Sequence, residues 1–308
     1  MLSRIAESLF WIGRYLERAE DTSRLLDVHV QLLLEDPVVD EELASQALLA
    51  VMGVDATEQA DQASVMRLLG WDPQSPASMV SAFWGARESA RRSREVVSTE
   101  VWEAINTTWN ILQRGHIQRA RPAQACQTVR ERCAVISGTA DSTMSHDQGW
   151  QFLVLGRSLE RIDMTARMIE AAAYNADSPQ AWLTTLRACG AHHAFVRTYR
   201  GADSDREAAE FLLLDRLFPR SLLFSLNRAE SALVNLDVGE RRAGFTGDAM
   251  RLIGRARAEL EYQPLSEILT DLPARMTALQ KTCSEANDAV AFRYFEGAAS
   301  VTWQAGVR

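Results

Sequence analysis

Positions Ile5, Leu9, Ile12, Leu16, Ala19, Ser23, Leu26, Val30 and Leu33 step by four and three in alternation. That spacing draws one stripe down a long α-helix, and Pro37 closes it. Further helical patterns run over about 40–52 and 56–70. After the break WDPQSPAS the periodicity predicts a very long helix over about 76–114 and another over about 122–140. Past the loop DSTMSHDQ the opening pattern restarts at about 148. Beyond Pro219, a residue suited to a helix N-terminus, SLLFSLNRAESALVNL continues helical, DVG interrupts, and helices follow near 245–260 and 273–295. No segment alternates with period two for long enough to make a strand. The fold class is therefore all-α.

The restart is a near copy. Residues 11–26, WIGRYLERAEDTSRLL, and 154–169, VLGRSLERIDMTARMI, align at an offset of 143 with seven identities in sixteen pairs. Random pairing gives about one. The offset also carries the apolar seam, as Phe152, Leu155, Leu159, Ile162, Ala166 and Ile169, and it sets DPQSPAS against DRLFPRS without a gap. The reading is a tandem duplication of a long-helix bundle unit, with halves at 1–146 and 147–308 that pack as one compact pair.

With the seam pointing inward, Gly13, Glu17, Glu20 and Arg24 share one flank of the first helix, and Gly156, Glu160, Asp163 and Arg167 share the same flank of its copy. Arg14, Arg18 and Asp21 then belong on the outer face, Asp21 being replaced by Met164 in the copy. A mid-helix glycine costs about 1 kcal/mol against alanine, so Gly13 and Gly156 point to a close approach of a partner helix or a ligand. Three readings of the flank stand side by side. It is an intrahelical ladder of pairs such as Glu20 and Arg24, an ion-pair network fixing one copy against the other, or the lining of a shared cleft for a peptide-like or nucleotide-like group.

Composition narrows these. The chain has 308 residues and a formal charge of -8, which argues against a nucleic-acid surface. Lys281 is its one lysine, against 32 arginines. A high-GC genome accounts for most of that bias, and bidentate carboxylate or phosphate contacts for the rest. Cys126, Cys133, Cys189 and Cys283 form no CxxC pair and read as reduced, buried thiols. No run is long enough to cross a bilayer and no signal sequence opens the chain, so a cytoplasmic location is expected.

Glu17, Glu20, Glu160 and Asp163 have a helical ligand spacing, yet no histidine stands three residues after a glutamate and arginines flank each carboxylate. No metal is expected. The next helices add Glu88, Trp102, Glu103 and Asn106 in the first half and Asn227, Arg228 and Glu230 in the second, otherwise a solvated charged face. Trp84, Trp102 and Trp109 read as core or interface. His192 and His193 have no partnering motif, and no phosphate loop, GxSxG or HExxH is present.

MLSRIAESLFWIGRYLERAEDTSRLLDVH, WEAIN, GWQFLVLGRSLERIDMTARMIE and FLLLDRLFPRSLLFSLNRAE together resemble the bacterial alpha-E family along nearly the whole chain. The resemblance implies an all-helical protein encoded beside a circularly permuted ATP-grasp ligase, and often a transglutaminase-like peptidase. It carries the family motifs onto Gly13, Arg14, Glu17, Arg18, Arg24, Glu88, Trp102, Glu103, Asn106, Gly156, Arg157, Glu160, Arg161, Arg167, Arg228 and Glu230. What it implies is a helical partner subunit of an amide or peptide ligase, presenting a charged cleft for a small peptide. ATP and magnesium are then expected in the ligase and no cofactor in this chain. Two alternatives stay open: an enzyme using Glu17 and Glu160 as acid and base, and a purely structural scaffold, including a homodimer.

Overall fold

A computed structural model describes residues 1–55, 60–175, 180–200, 204–237 and 247–296. Within them the chain is helical, with no strand. The elements are α1 (Ser3–Glu35), α2 (Glu41–Val51), α3 (Gln62–Val65), α4 (Met79–Arg92), α5 (Thr99–Gln113), α6 (His116–Arg119) and α7 (Pro122–Thr143). There follow α8 (Gln148–Tyr174), α9 (Ala181–Ala188), α10 (His192–Tyr199), α11 (Asp205–Leu214), α12 (Leu222–Leu236), α13 (Asp248–Tyr262), α14 (Leu265–Thr270) and α15 (Leu272–Val290). Widened π turns extend α3 over Met66–Trp71 and α15 over Ala291–Glu296.

Two bundles share one plan. In the first, α1 packs on α4 and α7, and α5 on α4 and α7; in the second, α8 packs on α12 and α15, and α13 on α12 and α15. The bundles meet where α1 lies along α8. The seam of α1 is buried from Ile5 through Val30, and that of α8 from Phe152 through Ile169.

Local chemistry sets the boundaries. Asp40 caps α2 and Asp147 caps α8 through their carboxylates, the latter accepting from Gly149 and Trp150 N–H. Pro122 opens α7. The loops before α4 and α12 are the same device written twice. Asp72 accepts from Gln74 N–H and Asp215 from Leu217 N–H, while Ser78 and Ser221 each cap a helix and donate back to the carbonyl of that aspartate.

The expected single helix over 76–114 is two. The chain turns between Arg92 and Thr99, where Ser93 donates to Ser89 O, Ser98 accepts from Val101 N–H, and Val97 is buried. Two serines achieve this without proline or glycine, so apolar periodicity did not register it. The pattern over 56–70 resolves into α3 and its π turn, and its residues 56–59 lie outside the described residues. The Val238 and Gly239 of DVG and the first two positions of the 245–260 pattern also lie outside them. Among the described residues no helix is long and apolar enough to cross a membrane. All four cysteines are free and buried, and burial pushes the Cys126 and Cys189 thiols up to about 12.

Candidate functional site

The repeated flank lies at the crossing of α1 and α8. A Cβ on Gly13 would stand 2.1 Å from Leu153 O, and one on Gly156 2.0 Å from Phe10 O. Either would collide with the opposite backbone, so the glycines let the two helices meet main chain to main chain. Phe10 and Leu153 are themselves partners at the 143 offset, which makes the contact reciprocal.

One turn further on, each glutamate crosses to the other helix. Arg161 grips Glu17 bidentately, with Nε donating to Oε1 at 2.6 Å and Nη2 to Oε2 at 2.7 Å. Arg18 grips Glu160 in the same way, at 2.6 and 3.1 Å, and Arg14 adds Nε to Oε2 at 2.5 Å. The Glu-Arg dipeptides at 17–18 and 160–161 are thus mutually cross-linked. Glu17 is 2% exposed and Glu160 1%. Burial pushes each carboxyl up, but the arginines outweigh it, taking Glu17 down to about 2 and holding Glu160 below the usual range.

The expected outer face does not exist at this level of α1. Asp21 is 1% exposed, and Arg14 and Arg18 turn inward onto Glu160. The physical reason is that α1 is covered on two sides, its seam by its own bundle and its charged side by α8. Asp21 meets Arg220, which is 7% exposed and also reaches Glu17 Oε1 at 2.9 Å and Glu20 Oε1 at 2.8 Å. Burial, then the neighbouring Glu17 and Glu20, push the Asp21 carboxyl up to about 8 against the pull of Arg220.

The remaining flank residues form ladder pairs. Arg24 bonds Glu20 at 2.9 Å, and Arg167 bonds Asp163 at 2.9 Å while reaching Val51 O. On α4 and α5, Arg87 bridges Glu88 and Asn106, and Arg87 together with Arg94 of the intervening turn lies over the Trp102 ring. Glu103 is exposed, and Trp84, expected in a core or interface, is 55% exposed. In the second bundle Glu230 pairs with Arg257, Asn227 is half-buried, and Arg228 is exposed. The structure therefore brings the Glu17 and Glu160 sets together and leaves the α4–α5 set apart from them.

Sequence reasoning missed two members. Asn287 of α15 accepts from Arg14 at 2.9 Å, which no spacing announces. Arg220 had a signal, since it stands where the first loop has Ala77, and Asp21 stands where the second helix has Met164. The buried charge of α1 and its counter-charge before α12 thus lie in different halves, and neither has a charged counterpart at the 143 offset.

Two cavities flank the crossing, and neither glutamate lines either. One, of about 190 Å³, is walled by Arg157, Arg161, Arg228, Ser158, Ser225 and apolar neighbours. The other, of about 550 Å³, is a mostly apolar groove where α2 and α9 meet the ends of α1 and α8, with the buried His29 on its wall. Among the described residues no three histidine, cysteine or acidic side chains converge as a cation site.

A family model described as a predicted alpha-helical domain with a conserved ER motif matches residues 1–295. Uncharacterized proteins of Mycobacterium bovis and of two strains of Mycobacterium tuberculosis are each 28% identical over 264 residues, covering 76% of this chain. The chain spans about 30% of the length of these curated relatives. No solved structure matches. With its two cross-linked Glu-Arg dipeptides and a family match over nearly its whole length, the chain belongs to the Alpha-E family.

Proposed function

We propose that this chain is a non-catalytic helical subunit working with an ATP-grasp-type amide ligase that makes a small peptide or peptide tag. The carrying observation is that the repeated glutamates are spent on holding the protein together. Glu17, held near 2 by Arg161 and Arg220, stays ionised through the neutral range and cannot trade protons there. That weighs against an enzyme using Glu17 and Glu160 as acid and base. The ligase itself, with its ATP and magnesium, comes from the alpha-E resemblance. In the mycobacterial relatives the matching region is 30% of a longer chain, as expected of a module that works beside others.

The 143-residue recurrence of helices, loops and crossing contacts is read as a tandem duplication, and the family's ER motif as the two dipeptides that lock its halves. The flank is then consumed within one chain, so a homodimer would have to use a different face. Any link to a transglutaminase-like peptidase runs through the ligase's product and needs no contact with this chain.

Co-expression with the ligase encoded beside it, followed by gel filtration and a ligase assay with and without this chain, tests the proposal. One co-eluting peak and a ligase that loses activity without its partner are expected. Two separate peaks with indifferent activity refute it.

A further inference from the structure

The α1–α8 crossing is reciprocal in its glycines and its Glu17–Arg161 and Glu160–Arg18 pairs, but not at Arg14. Arg14 has Glu160 and Asn287 as partners. Its counterpart at the 143 offset is Arg157, whose matching carboxylate is Glu17. Glu17, however, is occupied by Arg161 and by Arg220, and Arg220 stands where the other half has an alanine. The intruding Arg220 thus displaces Arg157 from the role that Arg14 plays. The Arg157 Nη2 is shut off from solvent and bonds no group among the described residues.

Arg157 faces the cavity of about 190 Å³, together with Arg161 and Arg228. Among the described residues no carboxylate lines it. Arg228 is exposed on α12 and has no ion-pair partner among the described residues. Arg161 is committed, with Nε and Nη2 on Glu17 and Nη1 on Pro219 O. Ser158 and Ser225 donate to Val154 O and Pro219 O, so the wall is polar without being negative. Burial, reinforced by Arg161 and Arg228 against the pull of Glu17 and Glu20, draws the Arg157 guanidinium below its ordinary range. An unpaired guanidinium in such a place is costly unless an anion joins it.

We propose that this cavity is an oxyanion site for a phosphoryl group, gripped by Arg157 from within and Arg228 from the rim. Two uncommitted guanidiniums with no carboxylate between them match a dianion, whereas a carboxylate neutralises one of them. The cavity falls below the roughly 300–1,000 Å³ of pockets for drug-sized ligands. It therefore takes a phosphoryl group and not a whole nucleotide. The site is independent of the ligase proposal, and either can fail alone.

The test is thermal melting of the intact protein with inorganic phosphate or acetate added at constant ionic strength. Phosphate is expected to raise Tm saturably and acetate to leave it unchanged. Arg228→Ala, at an exposed position, weakens the phosphate effect about tenfold in concentration. Arg157→Met abolishes it and melts at or above wild type without phosphate, because a half-buried guanidinium whose Nη2 is shut off from solvent without a partner is gone. Should Arg157→Met fail to fold, Arg228→Ala carries the test alone. No phosphate-specific shift, an equal shift with acetate, or an unaltered phosphate response in Arg228→Ala would each overturn the proposal.

Discussion

A carboxylate withdrawn from water keeps its charge only where cations go with it, and removing one partner strands the other. Glu17→Gln would leave Arg161 and Arg220 facing a neutral amide at a site 2% exposed. The expected loss is roughly 3–5 kcal/mol by urea denaturation, and Glu160→Gln should match it. Asp21→Asn should cost far less, since Arg220 keeps Glu17 and Glu20. The two acids also pull stability in opposite directions with pH. Glu17, at about 2 folded against 4.5 unfolded, contributes stability above 4.5 that is lost as pH falls toward 2. Asp21, raised to about 8 from 3.8, contributes stability below 3.8 that is lost as pH rises toward 8. Urea midpoints at pH 5 and pH 8 should therefore show Asp21→Asn gaining on wild type as pH rises; a constant gap would contradict the assignment.

At the scale of helices, backbone contact between α1 and α8 rests on two missing methyl groups. Replacing a helical glycine by alanine ordinarily adds roughly 0.5–1 kcal/mol of stability, and Gly138 of α7, with open space around it, should behave so. Gly13→Ala and Gly156→Ala should show the opposite sign, by roughly 1–3 kcal/mol or more, because each Cβ would lie about 2 Å from a carbonyl oxygen. The double variant should cost less than the sum, since one displacement of α8 relieves both clashes. Thermal melting of the four proteins decides it.

For the whole molecule, the crossing makes each bundle the counter-charge of the other. Arg14 and Arg18 find their carboxylate on α8, and Glu17 finds Arg161 on α8 and Arg220 just before α12. Cutting the chain at a protease site placed between His146 and Asp147 should therefore leave two pieces that co-elute on gel filtration. Glu17→Gln in the cut protein should release them. Pieces that separate without that substitution would mean the crossing is too weak to hold the bundles.

The helical class, the seam of α1, the restart at 148 and the offset of 143 were all legible in the chain, because apolar period and sequence identity are local or pairwise properties of the string. The mid-helix glycines and repeated glutamates announced a close and charged contact. Which side of α1 faced outward was not legible, since periodicity marks the face buried in a helix's own bundle and says nothing of a second helix laid over its charged side. Arg14, Arg18 and Asp21 were misplaced for that reason. The turn at 93–98 went unseen because serine side chains end a helix without interrupting its apolar pattern. Only the tertiary structure decided that Arg220 reaches across to Glu17 and leaves Arg157 facing a cavity, because which of several arginines wins one carboxylate depends on distances in space.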